Sequence, residues 1–357
     1  MDALAAVLAV AGVRGTIAAT VNAAEPWGLA LDAVPGAAFH AITDGTAWLC
    51  AYGSPGVHDE PGIRLMPGDI VLLPAGTAHT LASGPGARTQ PFDHLAAEQA
   101  LAAGGELTVG TGMIQTRILC ASYHQDPAVT LPLLTLLPDV LHIPASRANL
   151  GLDATLRLLA HELGQPQPGA AAVLNRLVDI LLVQVLRIWL TTSVSSTRPA
   201  SWLSALTDPV AGPALATLHV QPGRSWTVGS LAESIGVSSA TLARRFTAKV
   251  GESPAAYLTR WRMDLAAQRL RDTDDTVGAI ARSLGYNSEY AFNRAFTRHR
   301  RTSPGRYRTQ ARRQRLRTEQ GDGGGVLGLA GLVPVAGAVD GELGDLAAGQ
   351  LDAHELP

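Results

Sequence analysis

Apolar positions along this chain change their spacing near residue 148. Before that point they fall in short runs such as Ile70-Val71-Leu72-Leu73 and Thr116 to Leu119, interrupted by Gly and Pro. Short β-branched and apolar runs between turn residues predict the strands of an all-β sandwich or barrel over residues 1–150. After Ala148 the spacing becomes helical. Leu174, Leu177, Val178, Leu181, Leu182, Val185, Leu186 and Trp189 recur at steps of three and four, and Ile180, Val183 and Ile188 widen the stripe. A helix this apolar must bury nearly all round. Residues 151–191 are therefore expected to pack on the β domain with one side and on a second copy of the chain with the other. Residues 192–201, rich in Ser and Thr, predict an exposed linker. Residues 202–317 return to helical spacing. Residues 318–357 hold no Lys or Arg, many Gly and Ala, and several acids, a composition that predicts an acidic disordered tail. The fold class expected is a multidomain α+β chain: an N-terminal β-barrel, a helical dimerisation segment, and an all-α C-terminal domain.

The C-terminal helices repeat. Thr227-Val228-Gly229-Ser230-Leu231-Ala232-Glu233-Ser234-Ile235-Gly236 aligns with Thr276-Val277-Gly278-Ala279-Ile280-Ala281-Arg282-Ser283-Leu284-Gly285. Further on, Leu242, Arg244 and Phe246 match Phe292, Arg294 and Phe296, and Ser253-Pro254 with Tyr257 matches Ser303-Pro304 with Tyr307. Each copy reads as helix, tight turn, helix. Thr227 and Thr276 stand where a helix needs an N-cap, as do Ser238 and either Asn287 or Ser288 for the second helices. Gly236 and Gly285 occupy the turn. Leu242 with Phe246, and Phe292 with Phe296, bury the inner face at i, i+4. This is helix-turn-helix spacing, whose second helix can enter the major groove of DNA. Between the copies, Pro254 to Arg271 predicts one amphipathic connecting helix with Tyr257, Leu258, Trp261, Leu265 and Leu270 inside and Arg260, Arg262 and Arg269 outside.

Charge sharpens the picture. The formal net charge of −2 averages two opposed regions. Pro222 to Arg317 carries 19 Lys+Arg against 7 Asp+Glu, a net of +12, and the remainder carries 9 against 23. A basic block in an acidic chain is the footprint of a polyanion partner. Its cations are Arg apart from Lys249, the chain's single lysine, and Arg suits bidentate contact with guanine edges or phosphate. With the phenylalanines inward, Ser288, Glu289, Tyr290, Asn293 and Arg294 face the groove, and Ala240, Thr241, Ala243 and Arg244 take the matching places in the first copy. Arg244 and Arg294 suit guanine and Asn293 suits adenine. Arg298, Arg300, Arg301, Arg306 and Arg308 are expected to hold phosphates. Two rigidly joined reading helices would enter successive major-groove segments about 34 Å apart.

The two cysteines, Cys50 and Cys120, make neither a disulfide framework nor a CxxC metal site. The N-terminus lacks the basic region of a signal peptide, and the apolar stretch Ala170 to Leu190 is interrupted by Asn175, Arg176, Asp179, Gln184 and Arg187, against a membrane span. A cytoplasmic location is the expectation.

At Ile280-Ala281, Leu284-Gly285-Tyr286, Phe292-x-Arg294-x-Phe296 and Ser303-Pro304-x-x-Tyr307-Arg308 the chain resembles the AraC family of bacterial transcription regulators. The resemblance implies a seven-helix DNA-binding domain with two helix-turn-helix units. It also implies double-stranded promoter DNA as partner, RNA polymerase as a further one, and a homodimer. The N-terminal part resembles a cupin sensor domain. Gly68-x5-Pro74-x-Gly76-x2-His79 fits the second cupin motif, while the first is reduced to Phe39-His40 and Gly45.

Cupin enzymes hold a metal with about three His and a carboxylate. Here His40 and His79 stand at motif-like places, with His58 and Glu60 as additions from the intervening loop. No cofactor follows from this set; a His79 that only hydrogen-bonds within the barrel mouth, or a small-molecule or weak metal effector site, is expected in preference to catalysis. Cys120 lies where redox-sensing relatives carry a cysteine, but the stretch Ile17 to Asn22 lacks the second, so an internal disulfide switch is not expected. The leading expectation is a ligand-responsive, non-enzymatic regulator. A cupin metalloenzyme fused to a DNA-binding module, and a constitutive DNA-binding protein with a vestigial sensor, are the alternatives.

Overall fold

The computed structural model describes residues 3–51, 62–103, 105–124, 133–146, 149–165, 167–192 and 200–319. The short apolar runs of the N-terminal segments form strands, several of them buried along their whole length. β1 (Arg14–Ala24), β3 (Ala37–Asp44), β6 (Ile70–Leu73), β9 (Leu107–Val109), β10 (Ile114–His124) and β11 (Leu141–Ile143) form a six-stranded sheet in the order β11-β6-β3-β10-β1-β9. β2 (Gly28–Leu31), β4 (Ala47–Ala51), β5 (Ile63–Leu65), β7 (His79–Ala82) and β8 (Gln90–Pro91) form a five-stranded sheet in the order β5-β4-β7-β2-β8. The expected barrel is thus two separate sheets, not a single closed one. Val21, Leu29, Ile42, Leu49, Val71 and Leu81 belong to one core cluster drawn from both sheets.

Two helices interrupt what the strand spacing predicted as continuous β structure. α1 (Ala3–Ala11) opens the chain, and α2 (His94–Ala102) follows β8, started by the Asp93 carboxylate accepting from the Ala96 N–H at 2.9 Å. Nine apolar residues in a row at α1 carry no periodicity that separates helix from buried strand.

α3 (Leu150–Gly164) and α4 (Ala170–Thr192) form a hairpin against the six-stranded sheet. The stripe from Leu174 to Leu186 is buried. Asp179 accepts from the Gly15 N–H at 2.9 Å, and the Tyr123 hydroxyl donates to the Val178 carbonyl at 2.8 Å. A side chain at Gly15 would collide with Val178, whose Cγ1 would lie 2.3 Å from the added Cβ, so the close approach of α4 requires that glycine. The second side of α4, expected to meet another chain, is instead largely covered by α3. The large apolar side chains that stay exposed on the hairpin are Val173 and Ile180 of α4 and Leu150 and Leu158 of α3.

The C-terminal part holds eight helices among the described residues: a one-turn α5 (Trp202–Ala205), then α6 (Ala211–Val220), α7 (Val228–Ser234), α8 (Ser239–Val250), α9 (Pro254–Asp272), α10 (Val277–Ser283), α11 (Glu289–Arg300) and α12 (Pro304–Glu319). α6 to α12 correspond in number to the seven expected, and α5 is an added turn. The proposed linker falls mostly on residues 193–199, and the tail on residues 320–357, both outside the described residues.

Two apolar clusters organise these helices. The larger runs without a break from the sensor domain through α5, α6, α7 and α8 to Tyr257, Leu258 and Trp261 of α9. The smaller joins Met263, Ala266, Ala267 and Leu270 of α9 to α10, α11 and Tyr307 of α12. The connector α9 therefore carries one cluster on each half of its length.

Candidate nucleic-acid interface and a buried histidine pair

Each helix-turn-helix unit is started by its own side chains. Thr227 accepts from the Ser230 N–H and Ser230 returns a bond to the Thr227 N–H, and Thr276 accepts from the Ala279 N–H. Ser238 and Ser288 cap the second helices by accepting from Thr241 and Ala291 N–H, which settles the choice between Asn287 and Ser288. Both turn glycines have positive φ, 72° at Gly236 and 79° at Gly285. Gly285 also lies so close to the Gly223 carbonyl that any Cβ would collide with it. Leu242, Phe246, Phe292 and Phe296 are fully buried.

Burying those faces turns the opposite ones outward. In α11, Glu289, Tyr290, Arg294 and Arg298 are exposed, Tyr290 to 71%, and Asn293 is half-buried. The Arg294 guanidinium lies 5.9 Å from the Tyr290 ring. In α8, Ala240 and Arg244 are exposed, and Thr241 and Ala243 half-buried. Neither Arg244 nor Arg294 has an ion-pair partner among the described residues.

Other arginines depart from expectation because the fold uses them. Arg300 is not on the surface: it pairs with Asp264 at 2.5 Å, and both side chains are nearly inaccessible. Arg308 donates to the carbonyls of Leu270 and Asp275. Arg262 clamps the Pro222 and Arg224 carbonyls at 2.7 and 2.9 Å, Arg260 holds Glu252 at 2.7 Å, and Arg269 holds Asp275 at 2.6 Å. The three connector arginines are thus internal ties. Arg298, Arg301 and Arg306 remain exposed. Arg245, not singled out from sequence, bridges α8 to Asp208 ahead of α6 at 3.0 Å. Its only signal was a second Arg beside Arg244.

The other concentration of polar chemistry lies inside the sensor domain. His40 on β3 and His79 on β7 come from different sheets, yet their Nε2 atoms lie 2.7 Å apart. Both are 2% exposed. Cys120, paired in register with His40 on β10, brings Sγ to 3.2 Å from His40 Nδ1. His79 Nδ1 lies 2.8 Å from the Thr77 carbonyl, which only accepts, so Nδ1 carries the proton. Neutral His79 then accepts at Nε2, His40 donates there, and the Cys120 thiol donates to His40 Nδ1. Burial holds both imidazoles below their ordinary pKa, the neighbouring His79 adding to the effect on His40, and pushes the Cys120 thiol up to about 12. His58 and Glu60 lie outside the described residues.

Comparison with known proteins agrees with both halves. A family model described as Cupin matches residues 2–191, and one described as Helix-turn-helix domain matches residues 231–310. An AraC-like transcription regulator of Streptomyces lividans is 36% identical over 313 residues, covering 86% of this chain and 98% of that protein. A second, of Streptomyces antibioticus, is 35% identical over 317 residues, 86% of this chain and 98% of its own. The regulator AlkR of Acinetobacter baylyi is 33% identical over 252 residues, 68% of this chain and 80% of that protein. The chain belongs to the AraC-like family of transcription regulators. As an AraC-like regulator it is a helix-turn-helix DNA-binding protein with an N-terminal cupin domain.

The cupin fold raises the question of a metal in this AraC-like regulator, and the histidine pair does not fit one. A metal needs both Nε2 lone pairs directed at it, each about 2.0–2.1 Å away. Here one Nε2 carries a proton bonded to the other. Cys120 sits on the Nδ1 side of His40, away from that point. Among the described residues no group of three or more His, Cys, Asp or Glu is arranged to hold a metal. The high thiol pKa likewise keeps Cys120 as thiol, the less reactive form. No described helix is long and apolar enough to cross a membrane.

Proposed function

We propose that this regulator acts in the cytoplasm as a homodimer on promoter DNA, reading bases chiefly with α11 and answering an effector through its cupin domain. The single observation that carries the base-reading part is the outward row Glu289, Tyr290, Asn293 and Arg294. Its polar groups lie opposite the face on which Phe292 and Phe296 of the same helix are buried. Arg244 supplies the main polar reader of α8, with Ala240, Thr241 and Ala243 giving methyl and hydroxyl contacts. Arg298, Arg301 and Arg306 position phosphates. The exposed Val173 and Ile180 of α4 and Leu150 and Leu158 of α3 support an interchain contact on the helical hairpin, a smaller apolar surface than the stripe alone suggested.

Effector response through the cupin domain is supported by the continuity of its core with the first helix-turn-helix unit. α1 packs on α6 and α9, and the Gln268 side chain donates to the Ala9 carbonyl at 3.1 Å. A change in sensor packing therefore reaches the connector directly. RNA polymerase is the further partner of such a regulator at a promoter.

Selection of bound genomic fragments by the purified full chain, with and without metabolite pools, tests this reading. Enrichment of one bipartite motif whose halves lie about one helical turn apart supports it. Binding that enriches no motif and falls only with salt would refute base readout.

A further inference from the structure

The segment from Gln221 to Thr227 joins α6 to α7 and lies between the two helix-turn-helix units. At one end it meets the second unit. Gly223 and Gly285 approach so closely that a Cβ on either would collide with backbone of the other segment. Arg262 of α9 fixes the same stretch by donating to the Pro222 and Arg224 carbonyls at 2.7 and 2.9 Å. At the other end Thr227 caps α7. A Cβ added at Gly229, in the first turn of α7, would lie 3.8 Å from Ser239 Oγ, so the start of α7 adjoins the start of α8. The segment thus runs from the leading end of α8 to the turn that opens into α11.

Arg224 is exposed on this segment. The tie to Arg262 uses only its backbone carbonyl, which leaves the side chain outward. The guanidinium lies 4.1 Å from the centre of the Trp226 ring and donates to Gln221 Oε1 at 3.3 Å. The Trp226 indole N–H in turn donates to the Gln221 carbonyl at 3.0 Å. A guanidinium stacked on a ring that is itself bonded is ordered before any partner arrives. Among the described residues Arg224 has no carboxylate partner, whereas Arg260 and Arg269 of the connector are matched by Glu252 and Asp275. The other copy of the repeat differs here. Arg224-Ser225-Trp226 aligns with Thr273-Asp274-Asp275, and those acids are held by Arg312 and Arg269. One place in the repeat carries an unpaired cation in the first unit and paired carboxylates in the second.

We propose that Arg224, set on Trp226, is a positioning residue that holds a DNA phosphate between the two major-groove segments entered by α8 and α11. Two helices in successive major-groove segments leave one minor groove between them, and the strands that border it pass the segment joining the units. A guanidinium there donates to phosphate oxygens whatever the base sequence. Gly285 and Arg262 lock the segment to the second unit, and Thr227 begins the first, so one phosphate contact sets the register of both. This rests on the reading that α8 and α11 face the groove, and it adds a contact that neither helix supplies.

Fluorescence anisotropy of the full chain on two duplexes of about 30 base pairs, one A·T-rich and one G·C-rich, tests the contact at about 50 to 200 mM salt. Arg224→Ala should weaken binding to both duplexes alike. It should also make the slope of log affinity against log salt shallower by about 0.9, the value of one phosphate. The rise in salt then costs wild type about 3.5 times more affinity than it costs the variant. Arg224→Lys, which keeps the charge, should restore the slope. Arg64→Ala, which removes an exposed arginine from β5 of the sensor domain, should leave it unchanged. An unchanged slope in Arg224→Ala, a loss confined to the A·T-rich duplex, or an equal change in Arg64→Ala would each overturn the proposal. A chain that shows the expected slopes yet selects no motif would strike base readout and leave the phosphate contact standing.

Discussion

The two helix-turn-helix units share a backbone plan and differ in what surrounds and covers them. The first is embedded: Leu231, Leu242, Phe246 and Val250 belong to the same apolar cluster as the sensor helices, and Arg245 ties it to Asp208. The second stands on a separate, smaller core around Ile280, Phe292 and Phe296, reached through the far half of α9. Their outward faces diverge in the opposite sense. The embedded unit presents Ala240, Ala243 and Arg244, and the separate one presents Glu289, Tyr290, Asn293 and Arg294. Duplication thus yields one unit joined to the sensor core and one standing apart with a more polar outward face, from helices whose buried positions are nearly interchangeable.

Core truncation should separate the two units most. Phe292→Ala and Phe246→Ala each remove a fully buried ring, at a cost of about 3–5 kcal/mol. Scanning calorimetry should show Phe292→Ala melting a small C-terminal transition early, while Phe246→Ala lowers a transition shared with the sensor domain. A single undivided transition in both variants would break the comparison.

Acid should act on the embedded side. His219 stacks on Trp261 with ring centroids 4.2 Å apart and lies 2.6 Å from the Tyr257 hydroxyl, and burial lowers its pKa to about 4. The unfolded chain takes up this proton near pH 6.5 and the folded chain does not until about 4. Stability contributed by neutral His219 is therefore full above 6.5 and is lost as pH falls towards 4, by on the order of 3 kcal/mol. His40 and His79 act in the same direction, so the difference between wild type and His219→Gln in denaturant titrations isolates the effect. An unchanged slope in that variant would remove His219 from the account.

Base readout comes next. Arg294→Ala should cost about 1–3 kcal/mol at one base pair and relax preference there, and Arg244→Ala should cost less discrimination, since its helix offers fewer polar neighbours. Equal losses on every sequence would reassign either residue to phosphate contact. The smallest contrast lies in the caps. Thr227, with its reciprocal bond to Ser230, should lose more on replacement by Ala than Thr276, each near about 1 kcal/mol in thermal melts.

Much of the C-terminal architecture was legible because its determinants are local. Caps lie three residues from the N–H groups they satisfy, turn glycines need only their own φ, and the i, i+4 phenylalanines announce the buried face. Arg300, Arg308 and the three connector arginines were misplaced for the opposite reason. Their partners lie 6 to 40 residues away or on backbone carbonyls, which no spacing rule reports. The helix α1 was missed because a uniformly apolar segment has no period.

The chain's sequence by itself determined the second helices of the two helix-turn-helix units, their outward faces and the concentration of positive charge, since periodicity and composition act over a few residues. Tertiary structure alone decided three other matters. It brought His40, His79 and Cys120 from three strands into one hydrogen-bonded chain, because sheet pairing joins positions 80 residues apart in register. It turned basic residues into internal ties, because folding brings carboxylates and backbone carbonyls from other segments within reach of their guanidinium groups. And it joined Arg300 of α11 to Asp264 of α9 in a buried ion pair, because it brings together helix positions 36 residues apart along the chain.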